Sequence, residues 1–217
     1  MRFHYLKDPL YSFTYVLAQV VLRVLFRFRV KGRENVPCDG SLLIAPTHRS
    51  YVDPIFVGAA IPRRIFYMAK AEAFEVPLLG TLMRAYHAFP VHREMFDKRA
   101  LRIALWLLER GEALVIFPEG KRNPNHELLR PKLGISYLAL RTGAPVLPVA
   151  ISGTEKVMPI GEAKLRFANV EVRIGKPILF GELKSEKPEK KLVIEAANKI
   201  MFELSLLSGR PYKPITM

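Results

Sequence analysis

Residues 97–124 read DKRALRIALWLLERGEALVIFPEGKRNP, and this stretch decides the fold class. From Asp97 to Arg110, Leu101, Ala104, Leu105 and Leu108 recur at helical spacing on one face. Gly111 then stops the helix. Leu114 to Phe117 follows as a short apolar strand, and it runs straight into the charged turn Pro118-Glu119-Gly120-Lys121-Arg122. Working outward, similar short apolar runs lie at Ser41 to Ala45, Ile65 to Ala69, Ala88 to Val91 and Val146 to Ile151. A second helical pattern covers Gly134 to Arg141 and is stopped by Gly143. After the charged, solvated run Lys184 to Lys191, Leu192 to Leu207 reads as a closing helix. Strands alternating with helices of this length imply an α/β fold with a largely parallel central sheet flanked by helices. Such sheets place their sites in the loops that leave the carboxyl ends of the strands.

The 217 residues suit one domain with an appendage, and no repeat or linker splits them. With 50% hydrophobic and 25% charged residues, the composition excludes a disordered or low-complexity chain. Lys and Arg total 34 against 20 Asp and Glu, a formal charge of +14 that points to an anionic partner. Cys38, the one cysteine, excludes an intrachain disulfide framework and a cysteine-built metal site. A nucleic-acid binder would explain the charge equally well, yet the chain has neither paired zinc-ligand spacing nor an aromatic RNA-binding box, and no nucleic acid is expected.

The first segment, 1–31, separates in character from residues 32–217. A helix from Pro9 to Phe26 would be about 27 Å long, slightly short of the ~30 Å hydrocarbon core of a bilayer. On a helical projection Asp8, Ser12, Gln19, Arg23 and Arg27 fall on one narrow face, with Phe13, Val20, Leu22, Val24 and Leu25 elsewhere. That stripe, followed by Arg29, Lys31 and Arg33, predicts an amphipathic helix that associates with an anionic phospholipid membrane by lying in its interface. An ordinary buried N-terminal helix has the same periodicity.

The first strand ends into Thr47-His48-Arg49-Ser50-Tyr51-Val52-Asp53-Pro54. If Asp53 opens the next helix, its carboxylate folds back on the His48 ring, fixes the tautomer and leaves the other nitrogen as a general base. A surface histidine followed by an N-capping aspartate has the same spacing. The turn after Phe117 presents Glu119, Lys121 and Arg122 around Gly120, a set that suits a ligand carrying hydroxyls and phosphate, or simply a charged surface turn. Phe89-Pro90-Val91-His92-Arg93 adds Arg93 at the same edge, and Lys132 follows the glycine turn. Three strand ends each offer a cation. The apolar stretch Phe74 to Met83 reads as an acyl-chain groove or as ordinary core. Ser50 and Ser136 would serve a hydrolase, but neither sits in a Gly-x-Ser-x-Gly elbow.

In order, His-x4-Asp, Phe-Pro-Val-x-Arg, Phe-Pro-Glu-Gly-x-Arg and Val-Leu-Pro-Val-Ala span about Gly32 to Gly153. This set resembles the glycerolipid acyltransferases, in particular the bacterial 1-acylglycerol-3-phosphate acyltransferases. Thr47 stands where the family usually has Asn, and Lys121-Arg122-Asn123 where it usually has Thr-Arg-Ser. The resemblance implies an enzyme that moves a fatty acyl group from acyl-CoA or acyl carrier protein to the free hydroxyl of lysophosphatidate, with no cofactor and no metal. It implies His48 and Asp53 as the catalytic pair, and Arg93, Glu119, Gly120, Arg122 and Lys132 at the acceptor. Glu119 is assigned either to a hydroxyl or to holding an arginine. Residues 1–31 would then be the membrane anchor and 32–217 the acyltransferase domain, on the cytoplasmic face of the cell membrane as a peripheral or monotopic protein. A related lysophospholipid or glycerol-3-phosphate acyltransferase, or a non-catalytic lipid or nucleic-acid binder, is the alternative.

Overall fold

The computed structural model describes residues 9–92, 97–162 and 164–216, with backbone alone over 9–12. The elements run α1 (Pro9–Phe26), β1 (Arg29–Lys31), β2 (Leu42–Pro46), α2 (Asp53–Ala60), β3 (Ile65–Lys70), α3 (Leu79–Ala85), β4 (Ala88–Val91) and α4 (Lys98–Glu109). They continue through β5 (Ala113–Val115), α5 (Gly134–Thr142), β6 (Val146–Ser152), α6 (Thr154–Val157), β7 (Glu171–Ile174) and α7 (Lys190–Ser208). One seven-stranded sheet has the order β1-β7-β6-β2-β5-β3-β4. Every pairing is parallel except β6 with β7. The chain is thus an α/β fold with a mostly parallel sheet flanked by helices. β1 pairs with β7, so the sheet already includes Arg29–Lys31, ahead of the division drawn from composition at residue 32.

Local chemistry accounts for the element ends. Asp97 caps α4, its Oδ1 accepting the Arg99 and Ala100 N–H groups at 3.0 and 2.9 Å. Gly143, at φ 75°, closes α5 in the left-handed conformation that favours glycine. Pro90 removes a ladder donor, which is tolerated because β4 is an edge strand.

The central strands β2 and β5 are buried along their whole length, as a sheet covered on both faces requires. On one face, Leu42, Ile44, Val115 and Val149 pack with α2 residues Phe56, Val57 and Ala60. On the other, Leu43, Ala45, Leu114 and Val146 meet Leu107, Leu108, Leu138, Ile200 and Leu204 of α4, α5 and α7.

Two expectations change. Gln19, placed by the helical projection on the water-facing stripe, is turned into the domain. Its side chain donates to the Ala59 carbonyl, an acceptor near the end of α2 that intrahelical bonding leaves open. The same side of α1 buries Leu22 and Phe26, the latter edge-on to Phe56 with ring centroids 5.6 Å apart. The side exposed to solvent is therefore the apolar one, with Phe13, Val16, Leu17, Val20, Val21, Val24 and Leu25, while Arg23 and Arg27 flank it. Asp8 and the side chain of Ser12 lie outside the described residues. No helix among the described residues is long and apolar enough to cross a membrane. The stretch Phe74 to Met83 is likewise not core: Phe74 is buried, but Val76, Leu78, Leu79 and Leu82 are exposed.

At the opposite edge of the sheet from the carboxyl ends, Arg63 is buried at the entry to β3. Its guanidinium donates to the carbonyls of Pro37, Asp39, Gly40 and Gly111, tying the approaches to β2, β3 and β5 together. Arg63→Met would leave several of these part-buried acceptors without a protein partner, and a polar group left unsatisfied costs about 1–3 kcal/mol. The expected loss is about 3 kcal/mol, read as a lower denaturation midpoint with an unchanged m-value. A shift below about 1 kcal/mol would show that water replaces the guanidinium there.

Candidate active site

β2 delivers the chain to the carboxyl edge of the sheet at Pro46, where Thr47 fastens it to β6. The Thr47 N–H donates to Val149 O at 2.9 Å, and its hydroxyl accepts the Ile151 N–H at 3.0 Å. His48 therefore leaves from a fixed point. Asp53 is the first residue of α2 and is fully buried. Its Oδ2 accepts from His48 Nδ1 at 2.8 Å and from the Arg49 and Ser50 N–H groups, each at 2.7 Å. The positive end of α2 favours the carboxylate at that position. An ionised carboxylate only accepts, so Nδ1 carries the proton and Nε2 holds the lone pair of the neutral ring. Phe117 stacks on the imidazole at 4.0 Å between centroids, which holds the ring by its face as well as its edge. The structure thus brings together His48 and Asp53 as the spacing predicts.

The turn after β5 grips the same residue by its backbone. Glu119 Oε1 accepts the His48 N–H at 3.3 Å, and the Asn123 N–H donates to His48 O at 2.7 Å. Glu119 Oε2 accepts from Asn123 Nδ2 at 2.6 Å and from the Leu129 N–H at 3.1 Å. Arg210 Nη1 stands 3.6 Å from Oε1, and the Glu119 side chain has no exposure at all. A carboxylate sealed and engaged in this way lies beneath the site, closed off from solvent. Of the two roles the sequence allowed Glu119, the geometry keeps the second, and the arginine it holds is Arg210. Burial draws the pKa of Arg210 below its ordinary value, with Glu119 the main influence in the other direction.

Gly120, at φ 69°, adopts a backbone that side chains rarely take, and an added Cβ would come within 2.8 Å of Lys132 Cγ. Lys132 is anchored to the same turn through its N–H, which donates to Pro118 O at 2.8 Å. Its stem therefore crosses Gly120 at the rim. Arg122 lies with its guanidinium carbon 3.3 Å from the centroid of the Tyr51 ring, and its Nη1 is buried without a protein acceptor. Arg93 lies outside the described residues; β4 itself ends at Val91, on the same edge of the sheet.

The two serines weighed as nucleophiles are buried, with hydroxyls already donating, Ser50 Oγ to Met158 O at 2.8 Å and Ser136 Oγ to Leu133 O at 3.0 Å. Among the described residues, no group of three or more His, Cys, Asp or Glu side chains could hold a metal ion. Sequence reasoning missed Tyr51, Asn123 and Arg210. Asn123 had a signal, because it stands where the resembled motif usually has Ser. Arg210 had none, since nothing in the chain after the closing helix says which loop it reaches.

Comparison with known proteins gives the family. The family model described as Acyltransferase matches residues 27–152, which include His48, Asp53, Glu119, Arg122 and Lys132. The chain is 33% identical over 170 residues to the 1-acyl-sn-glycerol-3-phosphate acyltransferase of Bacillus subtilis (strain 168), covering 78% of this chain and 82% of that one. It is 30% identical over 167 residues to the chloroplast 1-acyl-sn-glycerol-3-phosphate acyltransferase LPAT1 of Arabidopsis thaliana, covering 74% of this chain and 46% of that longer protein. The crystal structure of the 1-acyl-sn-glycerophosphate acyltransferase PlsC from Thermotoga maritima superposes with a TM-score of 0.70 at 28% identity, covering 90% of this chain and 79% of that one. A match over more than half the chain, together with a one-third-identical relative covered along most of its length, makes this protein a member of the acyltransferase family.

Proposed function

We propose that this protein transfers a fatty acyl group from a thioester donor, acyl-CoA or acyl carrier protein, to the sn-2 hydroxyl of 1-acylglycerol-3-phosphate. The observation that carries the reading is the 2.8 Å bond from His48 Nδ1 to the buried Asp53 carboxylate, which leaves Nε2 basic at the carboxyl edge of the sheet. Nε2 takes the proton of the acceptor hydroxyl as its oxygen attacks the thioester carbonyl. The tetrahedral adduct collapses with loss of the thiolate, which recovers the proton from the imidazolium. Asp53 stabilises that imidazolium, and no acyl group is held by the enzyme. Arg122 and Lys132, with Arg93, which follows β4 in the sequence, bind the phosphate, and Gly120 lets the turn come close to it. Glu119 serves the acceptor indirectly, by holding the loops.

The bilayer is where the acceptor resides, and α1 offers the means of reaching it. Its exposed apolar face, flanked by Arg23 and Arg27, suits insertion at the interface of an anionic leaflet, in the manner of a monotopic protein on the cytoplasmic face. α1 then acts as the anchor, and the catalytic domain takes in β1 from Arg29 onward. Val76, Leu78, Leu79 and Leu82, exposed beyond the carboxyl end of β3, suit contact with an acyl chain.

Three outcomes test this reading. His48→Ala is expected to lose about 10²–10⁴-fold in kcat with folding intact, and intact mass after incubation with donor alone should show no acyl adduct. Near-normal turnover, or a kinetically competent adduct on a serine, would overturn the mechanism. Arg122→Ala should raise the acceptor KM and lower turnover while the donor KM stays within about twofold, with Lys rescuing incompletely because it lacks the planar fork; unchanged acceptor kinetics would remove Arg122 from the site. Finally, Leu17→Glu with Val24→Glu should release the protein from anionic vesicles in a sedimentation assay. Full retention would place the lipid contact elsewhere.

A further inference from the structure

We infer that Arg210 is a positioning residue for the His48 base, acting through the buried carboxylate of Glu119; this rests on the reading of His48 as the general base. Arg210 follows Gly209, the left-handed cap of α7, and lies outside the matched family region of residues 27–152. Its Nε donates to His126 O at 3.0 Å, and Nη2 donates to Asn125 O at 2.9 Å and Glu127 O at 3.1 Å. The remaining nitrogen, Nη1, faces Glu119. One planar group thus donates to three consecutive carbonyls of the loop and sets its charge 3.6 Å from the carboxylate beneath the site.

The arrangement is rigid on both sides. The segment that carries Arg210 is pinned by Ser205 Oγ donating to Arg210 O at 2.6 Å, by the Leu128 N–H donating to Pro211 O at 2.9 Å, and by Asn198, which bonds Tyr212 and both backbone groups of Ile215. On the other side, Glu119 and Asn123 hold the backbone N–H and C=O of His48. Side chains that are 7% and 0% exposed form a charge pair that must be complete, because a buried carboxylate without its cation either takes up a proton or moves toward water. Either response loosens the acceptor that holds His48 N–H. A base displaced by about 1 Å can lose about 10²-fold in rate even when nothing at the reacting atoms has changed.

The test uses the full chain with lysophosphatidate and an acyl thioester, measuring kcat and both KM values for Arg210→Met, Arg210→Lys, Glu119→Gln and the double variant Glu119→Gln with Arg210→Met. His48→Ala runs beside them. It also identifies the His48 resonances in spectra of histidine-labelled protein, giving a readout independent of turnover. Arg210→Met is expected to lose about 10- to 100-fold in kcat with both KM values within about twofold, and to shift the His48 resonances. Arg210→Lys should recover part of the rate, since it keeps the charge but cannot span three carbonyls. The double variant should turn over faster than Arg210→Met alone, because no buried charge is left without its partner. Wild-type kcat in Arg210→Met, unshifted His48 resonances, or a double variant whose loss is the product of the two single losses would overturn the inference. If Arg210→Met does not fold, wild-type kcat in both Arg210→Lys and Glu119→Gln would overturn it as well. Near-normal turnover of His48→Ala defeats the general-base reading alone, because the resonance shift still reports whether Arg210 governs the His48 environment.

Discussion

A carboxylate with no solvent exposure, Glu119, holds the loop after β2 against the loop after β5, and the geometry of the site depends on it. Its two oxygens accept from His48 N–H, Asn123 Nδ2 and Leu129 N–H, and Arg210 balances its charge. Burying an ion is costly unless it is both paired and hydrogen-bonded, and here both conditions hold. The consequence is that His48 is fixed by its own backbone before its side chain is considered.

The imidazole is then constrained on two further sides, by the Asp53 carboxylate at Nδ1 and by the Phe117 ring on its face. Asp53 is held in turn by the Arg49 and Ser50 N–H groups at the start of α2. Each contact removes one freedom of the ring, which is the preorganisation that the proposed general-base role calls for. The cations occupy a different layer. Arg122, against the Tyr51 ring, is half-buried and Lys132, over Gly120, is exposed, whereas Glu119 is sealed.

The sheet explains why so few segments suffice. Five strands, β2 to β6, run in one direction, so their carboxyl ends meet on one edge, and the loops after β2 and β5 converge there although they are far apart in the chain. The opposite edge is given to stability, with Arg63, at the entry to β3, gathering the carbonyls that lead into β2 and β5.

The local signals were legible without a structure. Apolar runs at β2, β3, β4 and β6, the helical period from Leu101 to Leu108, the stops at Gly111 and Gly143, and the five-residue spacing of His48 and Asp53 are short-range patterns, and short-range sterics and hydrogen bonding enforce them. The strands β1 (Arg29–Lys31) and β7 (Glu171–Ile174) interleave charged residues with apolar ones over three and four positions, so no apolar run marks them. Gln19 followed the helical projection onto the polar stripe, but a projection names the residues on a face and not what the face meets. Only packing against α2 turned Gln19 inward and left the apolar residues of α1 outside. The strand order, the burial of Glu119 and the reach of Arg210 across more than eighty residues to Asn125 and Glu127 are likewise properties of tertiary structure. Nothing local specifies them, because the energy of a buried ion pair exists only when the chain has closed around both partners.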